Sequence, residues 1–306
     1  MLSQTLDRQG VVELPRRKMA SPWARRAARE ILLLCTTAQV TPVARERLGR
    51  VLSRAVDWPY LLSLAEFHGV MPLVAHNLLT NGFAAKIPQP YRERLNQIYN
   101  STLYRNVLLS AELASVLAAF QKEGIAAITL KGTVLAELLY GNPGLRSVVD
   151  IDLLLHGEEI ERARSLLIGL GYREMAPLMN QDHPFHGSPY CKGTKLPVVI
   201  ELHWALDDQG LVTIPEREIW SRAQPVQLPR VSTAVLSPED NLLFLANHLS
   251  KQDTHLLKFL GDIAELLKKY GPNLDWGYVV SSARSWGVDV ATYYALKRAQ
   301  GLLGAP

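Results

Sequence analysis

The sequence predicts an α+β protein in which a small mixed sheet is flanked by an N-terminal and a C-terminal helical lobe. Apolar residues recur at helical spacing over residues 22–119. From Gly124 onward, short β-like runs alternate with helical segments, as in a compact sheet-and-helix core. After Leu236 the helical spacing returns. These changes of pattern divide the chain into a basic leader (1–27), a helical lobe (28–122), a sheet core (123–235) and a second helical lobe (236–306).

The composition is that of a soluble globular protein with ample material for a core, since 48% of its 306 residues are hydrophobic and 20% are charged. Cys35 and Cys191 form neither a metal-ligand spacing nor a disulfide framework, which favours the cytoplasm. No uninterrupted apolar run approaches the roughly 20 residues that span a bilayer, so we expect no membrane association. The oligomeric state does not follow from the sequence.

Positive charge is concentrated near the N-terminus. Residues 1–60 hold eleven Lys/Arg and five Asp/Glu, whereas the net charge of the whole chain is +4. Two interpretations are open: a flexible, solvated leader, or an arm that contacts nucleic acid or another acidic partner. A secretory signal is not indicated, because no continuous apolar segment follows the positive residues.

Capping residues predict where several helices begin. Asp57 is a candidate N-cap with Pro59 in the first turn, and Ser237 is a candidate N-cap with Pro238 at the first helical position. The predicted elements are a long helix over 89–122, a strand over 125–130, a helix over 133–140, a strand around Asp150, a helix over 158–170, a strand over 196–204, and helices over 238–249, 256–270 and from 275. The segment 175–195 is predicted to be a long loop that gates a substrate.

Asp150 and Asp152 are the most informative residues. On a strand they point to one face, while Ile151 and Leu153 point to the other. Two carboxylates about 4 Å apart repel by roughly 4 kcal/mol at an effective dielectric constant near 20, so a cation between them is favoured. Oxygen ligands suit Mg²⁺, which is commonly bound by one or two carboxylates and substrate phosphates. The pair therefore predicts a metal-nucleotide site.

Glu201 is the third candidate acid. It lies in a predicted strand with His203 on the same face and apolar residues on the other. If this strand lies beside that of Asp150 and Asp152, three carboxylates converge as in a two-metal phosphoryl or nucleotidyl transfer site. The alternatives are a structural salt bridge from Glu201 to Arg146, and a His203 that either leans over the nucleotide or donates to Glu201.

Two further features suit a phosphate ligand. Lys131-Gly132 follows a predicted strand at a helix N-terminus, where free N–H groups attract phosphate and glycine permits close approach. It is neither a Walker loop nor a Gly-x-Gly-x-x-Gly motif. Arg146 is placed to clamp a triphosphate. Its alternative role is an ion pair that holds the preceding loop.

In this order, Lys131-Gly132, Arg146, Asp150-Ile-Asp-Leu-Leu154 and Ile200-Glu-Leu-His-Trp204 resemble the uncharacterised nucleotidyltransferase family, from a superfamily with a DNA polymerase β-like fold. Flanking motifs such as Ser237-Pro-Glu-Asp240 extend the resemblance over most of the chain. The resemblance implies Mg²⁺-dependent transfer of a nucleoside monophosphate from an NTP, such as ATP, to an acceptor. It also implies that Asp150, Asp152 and Glu201 bind the metal, with Lys131 and Gly132 on the phosphate side.

Three hypotheses about function follow. The first is a nucleotidyltransferase acting on a small molecule, a sugar phosphate or a peptide natural product. The second is a catalytically idle nucleotide-binding scaffold, although clustered acids would serve no purpose there. The third is a toxin-like enzyme that modifies tRNA and uses the basic N-terminus as an RNA arm.

Overall fold

The N-terminal part of the molecule is helical, as the sequence predicts. The computed structural model describes residues 21–175, 187–207, 212, 214–251 and 256–306. Most of the basic leader lies outside these residues. The helices before the sheet are α1 (Pro22–Cys35), α2 (Pro42–Val51), α3 (Trp58–Phe67), α4 (Met71–Thr80) and α5 (Gln89–Lys122).

The first three helices begin in the same way. Ser21, Thr41 and Asp57 each accept a hydrogen bond from the backbone N–H three residues later, and a proline lies in each first turn. The side chain satisfies an otherwise unpaired N–H, and proline loses no hydrogen bond at that position. The prediction of a helix start at Asp57 is therefore confirmed.

A seven-stranded mixed sheet forms the centre of the described molecule. Its strands are β1 (Ile128–Thr129), β2 (Asp150–Leu154), β3 (Arg173–Glu174), β4 (Gly187–Lys192), β5 (Val198–His203), β6 (Gln224–Gln227) and β7 (Ser232–Val235). They lie in the order β3-β4-β5-β2-β1-β7-β6. The pairs β2–β5 and β1–β7 are parallel and the other pairs are antiparallel. The helices interspersed with them are α6 (Thr133–Leu138), α7 (Ile160–Gly169) and α8 (Glu216–Arg222).

The predicted loop over 175–195 needs correction. Residues 187–192 form β4, which pairs along its length with β5 and buries Tyr190. The prediction was wrong here because Gly187 and Pro189 are typical turn residues, and both are tolerated only because β4 lies near the edge of the sheet. Residues 176–186, which carry the rest of the proposed gating segment, lie outside the described part of the chain.

Helices return after the sheet. They are α9 (Pro238–Ser250), α10 (Leu256–Tyr270), α11 (Trp276–Trp286) and α12 (Asp289–Leu303). Ser237 caps α9 by accepting from Asp240 N–H, and Asp275 caps α11 by accepting from Tyr278 N–H. A mixed sheet between two sets of helices is the predicted α+β fold.

The buried apolar residues of the described part of the chain form two hydrophobic clusters. One lies between the sheet and the second half of α5, where Ile151, Leu153 and Ile200 pack with Phe120 and other apolar residues of that helix. The other joins the helices before the sheet to those after it. The alternation of β2 and β5 therefore sends their apolar side chains toward α5, and leaves their acidic side chains on the opposite face.

Helix α5 is long and apolar enough to cross a membrane by length and composition alone, although charged and polar residues interrupt its apolar sequence. Its residues Leu109, Leu113, Val116 and Phe120 are buried in the cluster against the sheet. The core helix of a globular protein meets the same criteria.

Candidate active site

The acidic residues of the two central strands lie side by side. In the parallel register of β2 and β5, Asp152 is paired with Glu201 and Asp150 with Val199. Paired positions of adjacent strands project to the same face of a sheet, so the side chains of Asp150, Asp152 and Glu201 share the face opposite α5. The structure thus brings together the three carboxylates that the sequence singles out.

Asp152 lies at the centre of this group, and its side chain is 0% exposed. Its Oδ1 accepts hydrogen bonds from Lys131 Nζ at 2.9 Å and from His203 Nε2 at 3.1 Å. Its Oδ2 is buried and has no hydrogen-bond partner among the described residues. An unpaired buried carboxylate oxygen is costly, which makes it a natural ligand for a cation.

His203 connects two of the acids. Besides its hydrogen bond to Asp152, its Nε2 lies 3.5 Å from Glu201 Oε2. Ligand atoms of Asp152, Glu201 and His203 lie within 4.8 Å of one another, close enough to surround a single ion. The sequence left two roles open for His203, a position over the nucleotide or a contact with Glu201. The structure places its Nε2 beside Glu201 and, in addition, Asp152.

The turn at Lys131-Gly132 is held directly against β2. Gly132 has φ of +68°, and a Cβ there would lie 3.2 Å from the carbonyl oxygen of Asp150, so the close approach requires glycine. Lys131 extends from this turn to its ion pair with Asp152. The Lys131 ammonium is therefore bound to the Asp152 carboxylate and does not lie free at the N-terminus of α6.

Burial and neighbouring charges shift the pKa values of the three carboxyl groups in different directions. The charge of Asp152, and then burial, raises the pKa of Asp150. Burial, and then the charges of Asp152 and Asp150, raises the pKa of Glu201 to about 7. Burial acts in the same direction on Asp152, but Lys131 and the hydrogen bond from His203 outweigh it and hold the pKa of Asp152 well below its usual value. Asp152 is thus firmly ionised, whereas a bound cation would favour the ionised forms of Asp150 and Glu201.

Arg146 is locked in a buried ion pair. Its Nε and Nη2 donate to the two carboxylate oxygens of Asp262 on α10 at 2.9 and 2.8 Å, and the Arg146 and Asp262 side chains are 3% and 0% exposed. Tyr140 donates to the same carboxylate at 2.8 Å. The ion-pair alternative for Arg146 is therefore the arrangement found, and a salt bridge from Arg146 to Glu201 is not. The guanidinium is therefore buried and already paired, and the structure does not present it to a phosphate.

Lys258 is a charged residue near the site that belongs to none of the predicted site motifs. It lies on α10 one turn before Asp262, and is close enough to Asp150 and Arg146 for their charges to act on it. Burial, and then the Arg146 guanidinium, lowers the pKa of Lys258 to about 8. The available signal was the i, i+4 spacing of Lys258 and Asp262, which places both on one helix face.

The donor set fits a divalent cation. Oxygen atoms of Asp150, Asp152 and Glu201 suit Mg²⁺ or Mn²⁺, and the unpaired Asp152 Oδ2 gives such an ion a buried anchor. His203 fits best beside the ion, because its N–H already orients Asp152.

The structure is thus an α+β fold with a cluster of carboxylates on two adjacent strands of a mixed sheet. The sequence also matches a known family. Residues 54–304 match the sequence model of the family described as uncharacterised nucleotidyltransferase. The chain belongs to this family, and the protein is a nucleotidyltransferase. The resemblance noted in the sequence motifs is confirmed. No curated protein matches the sequence.

Several solved structures are similar to this chain at low identity. The antibiotic-resistance factor ANT(2″)-Ia, in complex with adenylyl-2″-tobramycin, is 15% identical with a TM-score of 0.41, over 62% of this chain and 97% of that one. A solution structure of ANT(2″)-Ia is likewise 15% identical with a TM-score of 0.41, over 64% and 98% of the two chains. An antigenic nucleotidyltransferase-like protein from Paracoccidioides brasiliensis is 14% identical with a TM-score of 0.36, over 61% and 92%.

Proposed function

We propose that this nucleotidyltransferase uses Mg²⁺ to transfer a nucleoside monophosphate from an NTP to a hydroxyl group of a small-molecule acceptor. A small metabolite, a sugar phosphate and a peptide natural product all fit this description. The observation that carries the proposal is the convergence of Asp150, Asp152 and Glu201 on adjacent parallel strands, with one buried carboxylate oxygen left unpaired.

The proposed step is a substitution at the α-phosphorus. The acceptor oxygen forms a bond to that phosphorus and its proton passes to solvent, while the bond from the α-phosphorus to the bridging oxygen breaks and pyrophosphate leaves with that oxygen. Asp150, Asp152 and Glu201 would hold the cation, which supplies charge stabilisation and alignment of the phosphates when bound. Lys131 and His203 keep Asp152 ionised and oriented. Gly132 allows the turn to lie against β2, so that the phosphates can approach the carboxylates.

Incubation of the protein with each common NTP, Mg²⁺ and a panel of hydroxyl-bearing acceptors tests this function. Pyrophosphate release and a mass increase of one acceptor by a nucleoside monophosphate are expected. Thermal-shift measurements with each NTP and Mg²⁺ provide a reading that does not need the acceptor. Asp152→Asn is the variant that should lower activity. Glu158→Gln removes one negative charge from an exposed residue and serves as its charge-matched control.

Three outcomes would count against the proposal. If no NTP binds to the folded wild-type protein, the enzyme does not use one. If an NTP binds but no acceptor is modified, the scaffold hypothesis gains support, and modification of RNA instead of small molecules would favour the tRNA hypothesis.

Metal affinity should depend on pH through Glu201. Because its pKa is about 7, the carboxyl group is protonated at lower pH and a cation must displace the proton. We expect the affinity for Mn²⁺, a probe with the same preference for oxygen ligands, to fall up to about tenfold per pH unit below 7 and to level off above 8. Calorimetric titrations at several pH values measure this. Glu201→Gln should bind more weakly with a flatter pH profile, and a flat wild-type profile would contradict the prediction.

A further inference from the structure

Helix α10 is fixed against the sheet by Asp262. The carboxylate of Asp262 accepts two hydrogen bonds from Arg146, which precedes β2, and one from Tyr140. Gly261 lets this tyrosine approach, since a Cβ there would lie 3.2 Å from the Tyr140 hydroxyl oxygen. Three donors on one carboxylate in a buried setting define both the rotation and the axial position of the helix.

Lys258 is placed by the same contacts. Residues four apart lie on one face of a helix, so Lys258 faces the same side of α10 as Asp262, one turn closer to the N-terminal end of that helix. Its backbone N–H donates to the carbonyl oxygen of His68, at 3.1 Å, from the helices before the sheet. Its ammonium lies 4.9 Å from the centroid of the Phe259 ring. The side chain is only partly exposed and lies within range of the charge of Asp150.

Among the described residues, Lys131, Arg146 and Lys258 are cations near the acidic group, and they differ in their partners. Lys131 is paired with Asp152, and Arg146 with Asp262. Within the part of the chain that the structure describes, the Lys258 ammonium forms neither a hydrogen bond nor an ion pair with a carboxylate. Of these three cations, Lys258 is therefore the one whose charge no directly paired carboxylate offsets, and a ligand can engage it without competing with such a partner.

We propose that Lys258 binds the polyphosphate of the NTP from the side of the helices that follow the sheet, and that the Arg146–Asp262 pair positions it. This inference rests on the proposed function. A triphosphate bound beside three carboxylates needs more positive charge than one divalent cation supplies. A lysine ammonium is an effective phosphate ligand that acts as a point charge. Arg146, which the sequence suggested as the phosphate clamp, would thus act through α10 as a positioning residue.

Binding measurements on Lys258 variants test the inference. Calorimetry with each NTP and Mg²⁺, and separately with inorganic triphosphate and Mg²⁺, should show a loss of about ten- to a hundredfold in affinity for Lys258→Met. Lys258→Arg keeps the positive charge and should recover part of the loss. Lys269→Met is the matched control, because it removes an exposed lysine from the same helix and should bind like the wild type.

The outcomes separate this inference from the proposed function. Failure of the wild type to bind any NTP overturns both. Wild-type binding that is unchanged in a folded Lys258→Met overturns the role of Lys258 alone. A loss for NTP without a loss for inorganic triphosphate also overturns it, since Lys258 would then not act on the phosphates. If Lys258→Met does not fold, Lys258→Gln replaces it, and wild-type affinity in that variant has the same meaning.

Discussion

Asp150→Asn should abolish nucleotidyl transfer and at the same time make the metal-free protein more stable. Loss of a metal ligand removes several kcal/mol of transition-state stabilisation, so we expect activity to fall by at least about a thousandfold. The stability gain, of about 0.5–2 kcal/mol, follows because Asp152 repels the Asp150 carboxylate and burial penalises its charge. Pyrophosphate release and denaturant unfolding without added metal measure the two effects.

The sign of the stability effect can be checked with pH. Because the folded-state pKa of Asp150 lies above its unfolded value of about 3.8, ionisation of this group costs stability as pH rises through the folded pKa. The advantage of Asp150→Asn should therefore be absent below that unfolded value and should grow as pH rises above it. Asp152→Asn is the contrasting variant, since it leaves the Lys131 ammonium without its partner and should lower both activity and stability. An active or less stable Asp150→Asn would refute the expectation.

Arg146→Met should destabilise the protein by about 3–5 kcal/mol. The substitution leaves the buried Asp262 carboxylate with Tyr140 as its remaining side-chain donor and without a compensating charge. It also removes the 3.4 Å contact from Arg146 Nη1 to the carbonyl oxygen of Gly132, which braces the turn that carries Lys131. Denaturant unfolding monitored by circular dichroism provides the free energy of unfolding.

Two further variants show whether burial is the cause. Arg50→Met breaks the Arg50–Glu46 pair, whose side chains are 63% and 71% exposed, and should cost less than about 1 kcal/mol. The double variant Arg146→Met/Asp262→Leu removes both buried charges and should recover most of the lost stability. A double variant as unstable as Arg146→Met would mean that the loss comes from packing and not from an unpaired charge.

Local patterns were sufficient where local physics decides the structure. The two-residue period of β2 and β5 correctly assigned the acids to one face, and capping residues correctly located the starts of α3 and α9. The strands β3, β4, β6 and β7 were missed, because β4 and β6 contain proline and β3, β6 and β7 are short and partly polar. Such segments become strands only through pairing with a neighbour.

The positions of the cations could not be predicted in the same way. Arg146 and Asp262 are 116 residues apart, and their pairing depends on how α10 docks on the sheet. The same docking brings Lys258 near the acidic residues, and no sequence pattern indicates that proximity. A pattern of residue types can identify acids that need a cation, whereas the partner of each arginine or lysine is decided by tertiary packing.

The long helix α5 has a consequence for how the molecule is divided. Its 34 residues form a rod of roughly 50 Å. Leu95 near one end is buried with the helices that precede the sheet, whereas Phe120 near the other end is buried against the sheet itself. The same rigid element thus supplies part of the core on both sides of residue 123. We therefore expect a cut there to remove the apolar cover of the sheet, and we propose that residue 123 marks a change of sequence pattern within one folding unit.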